Sequence, residues 1–134
     1  MTHTIGLAFD SRDPERLADF WAVALDYTRH TQEITPAGEE TVSLKDPLGN
    51  GPTVSFARVP EGKSAKNRLH LDIKVSQPAE LVARLVEVGA TVLIGANNTH
   101  NHTVMQDPEG NEFCVLGNPD LEGSTAKGPS PDFR

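Results

Sequence analysis

The five residues Asp-Pro-X-Gly-Asn occur twice in this chain, at 46–50 and again at 107–111. The surroundings repeat as well: residues 7–10 are similar to 69–72, and after each of these stretches a proline opens an amphipathic run. Such a turn sequence can arise twice by chance, because Asp, Pro, Gly and Asn each favour turns for their own physical reasons. Since the flanking residues repeat too, we interpret the chain as a tandem duplication of one small unit.

Composition limits the classes of function that this chain can serve. Its 134 residues are enough for one domain. The formal net charge of −7 disfavours nucleic acids and anionic membranes as partners. No apolar run approaches the roughly 20 residues that a membrane helix needs. One cysteine, Cys114, excludes an internal disulfide, and no signal peptide is visible, so we expect a cytoplasmic protein.

The hydrophobic pattern gives the same order of elements in both halves. Helices are predicted from Asp13-Pro14 to about Asp26 and from Pro78 to Val88, because a proline opens each apolar stripe of helical spacing. Strand-like residues surround each helix. The predicted strands are 5–9, 27–35, 41–45 and 53–59 in the first half, and 69–75, 91–94, 103–106 and 112–116 in the second.

This order predicts an α+β fold made of two tandem βαβββ modules that form a curved mixed sheet around a cavity, with the helices outside. One domain then spans residues 1–116, with module 1 at about 4–59 and module 2 at about 68–116. The polar stretch 60–67 is the predicted linker. Residues 117–134 are rich in Gly, Pro, Ser and charge, so we expect a flexible tail. The concave face of such a sheet is the expected binding site for a small molecule.

Several segments, taken in order, resemble the glyoxalase/bleomycin-resistance/dioxygenase superfamily, also called vicinal oxygen chelate proteins. They are residues 13–21, which read DPERLADFW, the junction 59–72, Val88-Gly89-Ala90, and residues 107–116, which read DPEGNEFCVL. The glyoxalase-like branch is the most similar. The resemblance covers residues 5–116. It implies paired βαβββ modules, commonly a homodimer, and in catalytic members a divalent metal that polarises vicinal oxygens of a substrate.

The resemblance also implies four metal ligands, usually His or Glu, contributed by strands of both modules. His70 stands at one of these positions. The position in the last strand that usually holds Glu is Cys114, while Glu112 lies on the same side of that strand. In the first module the matching position is Gly6, with His3 further back.

The predicted strand 53–59 offers no His, Asp, Glu or Cys to complete such a set. With so few donors, we expect no metal cofactor. If a divalent metal binds nevertheless, we expect His70 to hold it together with Glu112 or Cys114.

The candidate site residues follow from this comparison. We predict His70 and Glu112 as the catalytic acid and base, if the protein is an enzyme. The predicted ligand-binding residues are His70, Asp72, His102, Glu112 and Cys114. His100 and His102 stand at alternate positions and could bind a metal. We instead expect both to be exposed imidazoles, in the polar loop 95–101 or at its edge.

Three functions remain open from the sequence. We favour a bleomycin-resistance-type protein that binds a small organic molecule in the cavity without the family metal. The alternative is a lyase, isomerase or dioxygenase, either metal-dependent with unusual ligands or metal-free with His70 and Glu112 as acid and base. The third is an accessory module whose cavity is filled by its own side chains.

Overall fold

The structure, a computed structural model, describes residues 2–97 and 101–118. Two compact units divide between Ser64 and Ala65, and we call them module 1 and module 2. Each module runs strand, helix and three strands, so the predicted α+β fold with two βαβββ modules is confirmed. None of the described helices is long and apolar enough to cross a membrane. His100 and the predicted tail, from residue 119 onward, lie outside the described residues.

Module 1 is a four-stranded mixed sheet with one helix packed on it. Its elements are β1 (Gly6–Ser11), α1 (Pro14–Leu25), β2 (Thr28–Ile34), β3 (Glu40–Lys45) and β4 (Thr53–Arg58). The strand order is β1-β4-β3-β2, with β1 parallel to β4 and the other neighbours antiparallel.

Helix α1 begins and ends where the sequence predicts. The side chain of Asp13 accepts a hydrogen bond from the backbone N–H of Arg16 at 3.3 Å, and Asp26 closes the helix in the left-handed conformation, with φ of 58°. Trp21 is buried on the inner face of the helix, and its ring centroid lies 5.2 Å from that of Phe9 in β1. Aromatic packing therefore joins α1 to the sheet.

Module 2 repeats this arrangement with different side chains. Its elements are β5 (Leu71–Val75), α2 (Pro78–Glu87), β6 (Thr91–Ile94), β7 (His102–Gln106) and β8 (Glu112–Gly117). The strand order is β5-β8-β7-β6, again with the first and last strands parallel. The large buried side chains are Ile73, Leu85, Met105, Phe113 and Val115. Each of them comes from a position that the period of its strand or helix assigns to the core.

Three ends of strands differ from the prediction. β5 begins at Leu71, so Leu69 is not a core residue and is 71% exposed. β8 continues to Gly117, and the N–H of Asn118 donates to the carbonyl of Val75 at 3.0 Å. His102 begins β7 and is 8% exposed, so the expectation of an exposed loop imidazole is wrong for this residue. The strand reaches one residue further than its apolar pattern, because backbone pairing with Leu116 continues there.

The two Asp-Pro-X-Gly-Asn turns are held by their aspartates. Asp46 accepts backbone N–H bonds from Leu48, Asn50 and Gly51, and these bonds, with that of Leu48 first, lower the pKa of its carboxyl. Asp107 accepts from the N–H of Glu109, at 2.8 Å, and from both the backbone and the side-chain amide of Asn111. Each turn therefore fixes the start of the last strand of its module.

The repeat provides a matched pair of variants for measuring the strength of these turns. Asp107 is 3% exposed, so Asp107→Ala leaves partly buried donors without an acceptor and should lower the free energy of unfolding by about 2 kcal/mol. Asp46→Ala should cost clearly less, because Asp46 is more exposed and water can replace its carboxylate. Urea unfolding of both variants measures the difference. Equal losses of stability would contradict this account.

Candidate functional site

The side of the module 2 sheet opposite Ile73 and Phe113 combines exposed polar side chains on β5 with buried side chains on β8. Along β5, Ile73 is buried, whereas Asp72 and Lys74 on either side of it are exposed. Side chains alternate between the two faces of a strand, so Asp72 and Lys74 point away from the core. In the register of the sheet Asp72 pairs with Cys114 of β8, and Cys114 pairs in turn with Val104 of β7. We call this side the polar face of module 2.

Three side chains of types that can bind a metal meet on the polar face. One ligand atom each from His70, Asp72 and Cys114 lies within 4.8 Å of the others. His70 comes just before β5 and is two residues from Asp72, which places both side chains on one side of the chain. The imidazole Nε2 of His70 is 3.4 Å from Oδ1 of Asp72. Among the residues that the structure describes, this is the one group of three or more His, Cys, Asp or Glu side chains arranged in this way.

The three side chains differ in their access to solvent. The side chains of His70 and Asp72 are 33% and 26% exposed, whereas Cys114 is 5% exposed. The sulfur therefore lies at the buried side of the group, and the imidazole and carboxylate lie at the side that solvent reaches. A small molecule or ion that arrives from solvent meets the nitrogen and oxygen donors first.

Glu112 lies on the same strand as Cys114 but binds a different partner. Its Oε1 accepts a hydrogen bond from the backbone N–H of Asn67 at 2.9 Å, and the side-chain amide of Asn67 donates to the backbone carbonyl of Glu112 at 3.3 Å. This pair of hydrogen bonds ties β8 to the segment that leads into His70. Glu112 does not belong to the three-donor group. Its predicted acid–base role stays a prediction, and the contacts give it a positioning role.

His102 also stands apart from the three-donor group. It pairs with Leu116 in the sheet register. Leu116 lies two residues after Cys114 in β8, so its side chain is on the same face of the sheet. His102 is buried, as Leu116 is. The structure therefore places His102 on the polar face of module 2 but does not bring it together with His70 and Asp72. Its predicted contact with a ligand is not tested by this placement.

Module 1 has the same pairing of its first and last strands, but it lacks His, Asp and Cys side chains at the positions that correspond to His70, Asp72 and Cys114. The parallel ladder ends at Ser11–Arg58 in module 1 and at Val75–Gly117 in module 2. Counted back from these ends, the pair Ala8–Ser55 corresponds to Asp72–Cys114, and Gly6 corresponds to His70. This structural alignment differs by two residues from the sequence similarity between 7–10 and 69–72. The duplication thus supplies an internal comparison. The same scaffold carries Gly, Ala and Ser in one module and His, Asp and Cys in the other.

A family model for the glyoxalase-like domain matches residues 6–116, which is most of the chain. The chain belongs to the glyoxalase-like domain family. The predicted membership of the glyoxalase/bleomycin-resistance/dioxygenase superfamily is thereby confirmed. A comparison with curated protein sequences gives no match.

Solved structures show the same fold at low sequence identity. The fosfomycin resistance protein FosX from Mesorhizobium loti is 11% identical, with a TM-score of 0.68 over 93% of this chain and 94% of that one. A glyoxalase/bleomycin resistance protein/dioxygenase family enzyme from Burkholderia phytofirmans is 17% identical, with a TM-score of 0.66 over 83% and 94%. A FosX variant from Listeria monocytogenes, in complex with Mn(II) and 1S,2S-dihydroxypropylphosphonic acid, is 8% identical, with a TM-score of 0.71 over 93% and 95%.

For this glyoxalase-like chain, sequence reasoning found His70 and Cys114 but treated Asp72 as a ligand-contacting or structural residue. The signal for Asp72 was its spacing from His70, which puts both on one side of a strand. The pairing of Asp72 with Cys114 could not be obtained in this way, because it depends on the register between two strands about 40 residues apart in sequence.

The contact between Glu112 and Asn67 leads to a prediction about the position of His70. Glu112→Ala removes an acceptor from a partly buried N–H and should cost about 1 kcal/mol of unfolding free energy, while the NMR signals of the His70 ring shift. Glu112→Gln keeps an oxygen acceptor and should preserve both. Urea unfolding and NMR of the histidine rings measure these effects. If the Gln variant behaves like the Ala variant, Glu112 does not act through this hydrogen bond.

Proposed function

We propose that this glyoxalase-like protein binds a small organic molecule with oxygen donors at His70, Asp72 and Cys114, through a divalent cation held by these residues. The observation that carries the proposal is the meeting of an imidazole, a carboxylate and a thiol within 4.8 Å. The sequence alone favours binding without a metal. The third donor, Asp72, changes that preference.

The donor set fits a divalent cation. In a tetrahedral zinc centre, bonds of 2.0–2.3 Å place neighbouring donor atoms about 3.4–3.8 Å apart. The separations in module 2, all within 4.8 Å, come close to this, and side-chain rotation can bring the donors together. Three protein ligands leave a coordination position for an external molecule, as in catalytic sites. A bound cation would act as a Lewis acid on an oxygen atom of that molecule.

The residues of the chain have separate tasks in this proposal. Nε2 of His70 and Oδ1 of Asp72 lie 3.4 Å apart, which is the spacing of two donor atoms bound to one cation. Cys114 is buried at the base of the group, and the exposed side near His70 and Asp72 is where a ligand enters. The FosX variant that holds Mn(II) and a dihydroxypropylphosphonic acid supports the proposal by analogy, since it combines this fold with a cation and a small oxygen-rich molecule.

A second candidate is a metal-free isomerase or lyase. The observation in its favour is the contact between His70 and Asp72, because a carboxylate beside an imidazole stabilises the charged ring that forms when His accepts a proton. In this version His70 takes a proton from the ligand and Asp72 orients it. Homodimer formation and a cytoplasmic location, both expected from the sequence, stay predictions alongside either candidate.

The proposed centre is tested by cation binding to protein stripped with EDTA. The wild type should take up one Zn²⁺ per chain in equilibrium dialysis, and His70→Ala and Asp72→Ala should each weaken binding at least about tenfold, because each removes one of three ligands. His30→Ala is the matched control, since His30 is an exposed imidazole on β2. It should bind Zn²⁺ like the wild type. Substoichiometric uptake by the wild type, or unchanged uptake by His70→Ala, would refute the centre.

The binding of an oxygen-containing molecule is tested with acetohydroxamic acid, a small bidentate oxygen ligand. It should raise the Tm of the Zn²⁺-loaded wild type and leave that of the stripped protein unchanged. Equal stabilisation of loaded and stripped protein would show that the molecule binds without the cation. That outcome, together with loss of stabilisation in His70→Ala, would favour the metal-free candidate.

A further inference from the structure

The donor set of module 2 differs from what a hard cation selects. Mg²⁺ and Ca²⁺ take six or more oxygen ligands, and Mn²⁺ also suits carboxylates, carbonyls and water. The group in module 2 has one oxygen donor, one nitrogen donor and one sulfur donor, from Asp72, His70 and Cys114. A thiolate is a soft ligand, and zinc and cobalt accept it together with imidazole and carboxylate.

The register of the sheet places Cys114 beside Asp72. Asp72 and Cys114 are direct partners in the parallel ladder of β5 and β8. The same ladder pairs Leu71 with Phe113 and Ile73 with Val115. Of these four residues, Ile73, Phe113 and Val115 are buried in the core. A change of register would move the whole apolar set out of the core, so the Asp72–Cys114 pair is strongly specified.

Cys114 is also less accessible to solvent than the other two donors. It is 5% exposed, whereas the side chains of His70 and Asp72 reach solvent. An ion that binds His70 and Asp72 therefore comes within reach of the sulfur, whose distance from both donor atoms is at most 4.8 Å. The thiol proton is released to solvent when the thiolate binds the ion.

Module 1 shows that these donors are not a property of the scaffold. At the corresponding positions it has Gly6, Ala8 and Ser55, none of which is a soft donor. Ser55 is partly exposed and stands in the place of Cys114. The described part of module 1 therefore offers a position where a thiol can be introduced without its two companions.

We infer that Cys114 binds the cation directly as a thiolate and makes the centre of module 2 a site for zinc-class cations rather than for Mn²⁺ or Mg²⁺. This inference rests on the proposed function, because it assigns the identity of the cation at the same centre. It distinguishes this chain from the FosX variant that holds Mn(II).

Cobalt substitution tests the inference directly. Co²⁺ added to the EDTA-stripped wild type should give the near-ultraviolet charge-transfer band of a thiolate–cobalt bond together with visible bands of low-symmetry Co²⁺. One equivalent of Zn²⁺ should abolish both. The wild-type spectrum decides the question by itself, so the test does not depend on whether a variant folds.

The variants separate the sulfur from the rest of the centre. Zinc binds more tightly than manganese to most sites, so the informative quantity is the ratio of the two affinities and not the order. Cys114→Ser should remove the charge-transfer band and lower the Zn²⁺/Mn²⁺ affinity ratio at least about tenfold, because a hydroxyl replaces the soft ligand. Ser55→Ala is the matched control at the corresponding position and should change neither.

Ser55→Cys provides a second control. It adds a thiol at the module 1 position where Gly6 and Ala8 stand in place of His70 and Asp72. In the background of Cys114→Ser it should not restore the charge-transfer band. Restoration of the band there would show that a cysteine alone is sufficient and would overturn the assignment of the trio.

The remaining outcomes distinguish this inference from the proposed function. If Co²⁺ and Mn²⁺ bind, His70→Ala abolishes binding and no charge-transfer band forms, Cys114 is not a ligand and the inference is wrong, while a cation centre at His70 and Asp72 that binds an oxygen-containing molecule still stands. If no divalent cation binds the wild type, both the inference and the proposed centre are wrong.

Discussion

The parallel pairing of the first and last strands is the constraint on which each module depends. In module 1 it joins β1 to β4, and in module 2 it joins β5 to β8. Parallel strands need a long crossover, and in both modules the helix and the two middle strands supply it. The same pairing brings together residues that are far apart in sequence. In module 2 these residues are Asp72 and Cys114, so the candidate centre is a direct consequence of the fold of one module.

Duplication allowed one scaffold to carry two different sets of side chains. In module 1 the core is rich in aromatic residues: Phe9 contacts both Trp21 and Phe56, at centroid distances of 5.2 and 5.1 Å. In module 2 the corresponding space is filled by aliphatic residues and Phe113. The opposite faces differ even more, since small residues in module 1 correspond to His, Asp and Cys in module 2. The requirement to bury the core limits which side chains can occupy one side of each sheet. The side chains on the other side can vary, and they can include functional residues.

The elements of the fold could be predicted from sequence because the signals that define them are local. Asp13 and Pro14 start α1, and the alternation around Ile73 defines β5, so both elements were placed to within two residues. Leu69 and His102 were misjudged for a related reason. Apolar character suggested that Leu69 belongs to the strand, and polar neighbours suggested that His102 belongs to a loop, but hydrogen bonds with a distant strand decide both positions.

The contact between His70 and Asp72 is compatible with both candidate functions, and the third donor separates them. In acid–base chemistry the carboxylate orients and charges the imidazole, and a nearby thiol has no task. In a metal centre the same carboxylate is a ligand, and the thiol completes the set. A buried cysteine is usually a small apolar residue of the core. Cys114 is buried as such a residue is, but it is also in register with Asp72, and its sulfur lies within 4.8 Å of donor atoms of His70 and Asp72. The proposed cation centre gives this thiol a role that packing alone does not require.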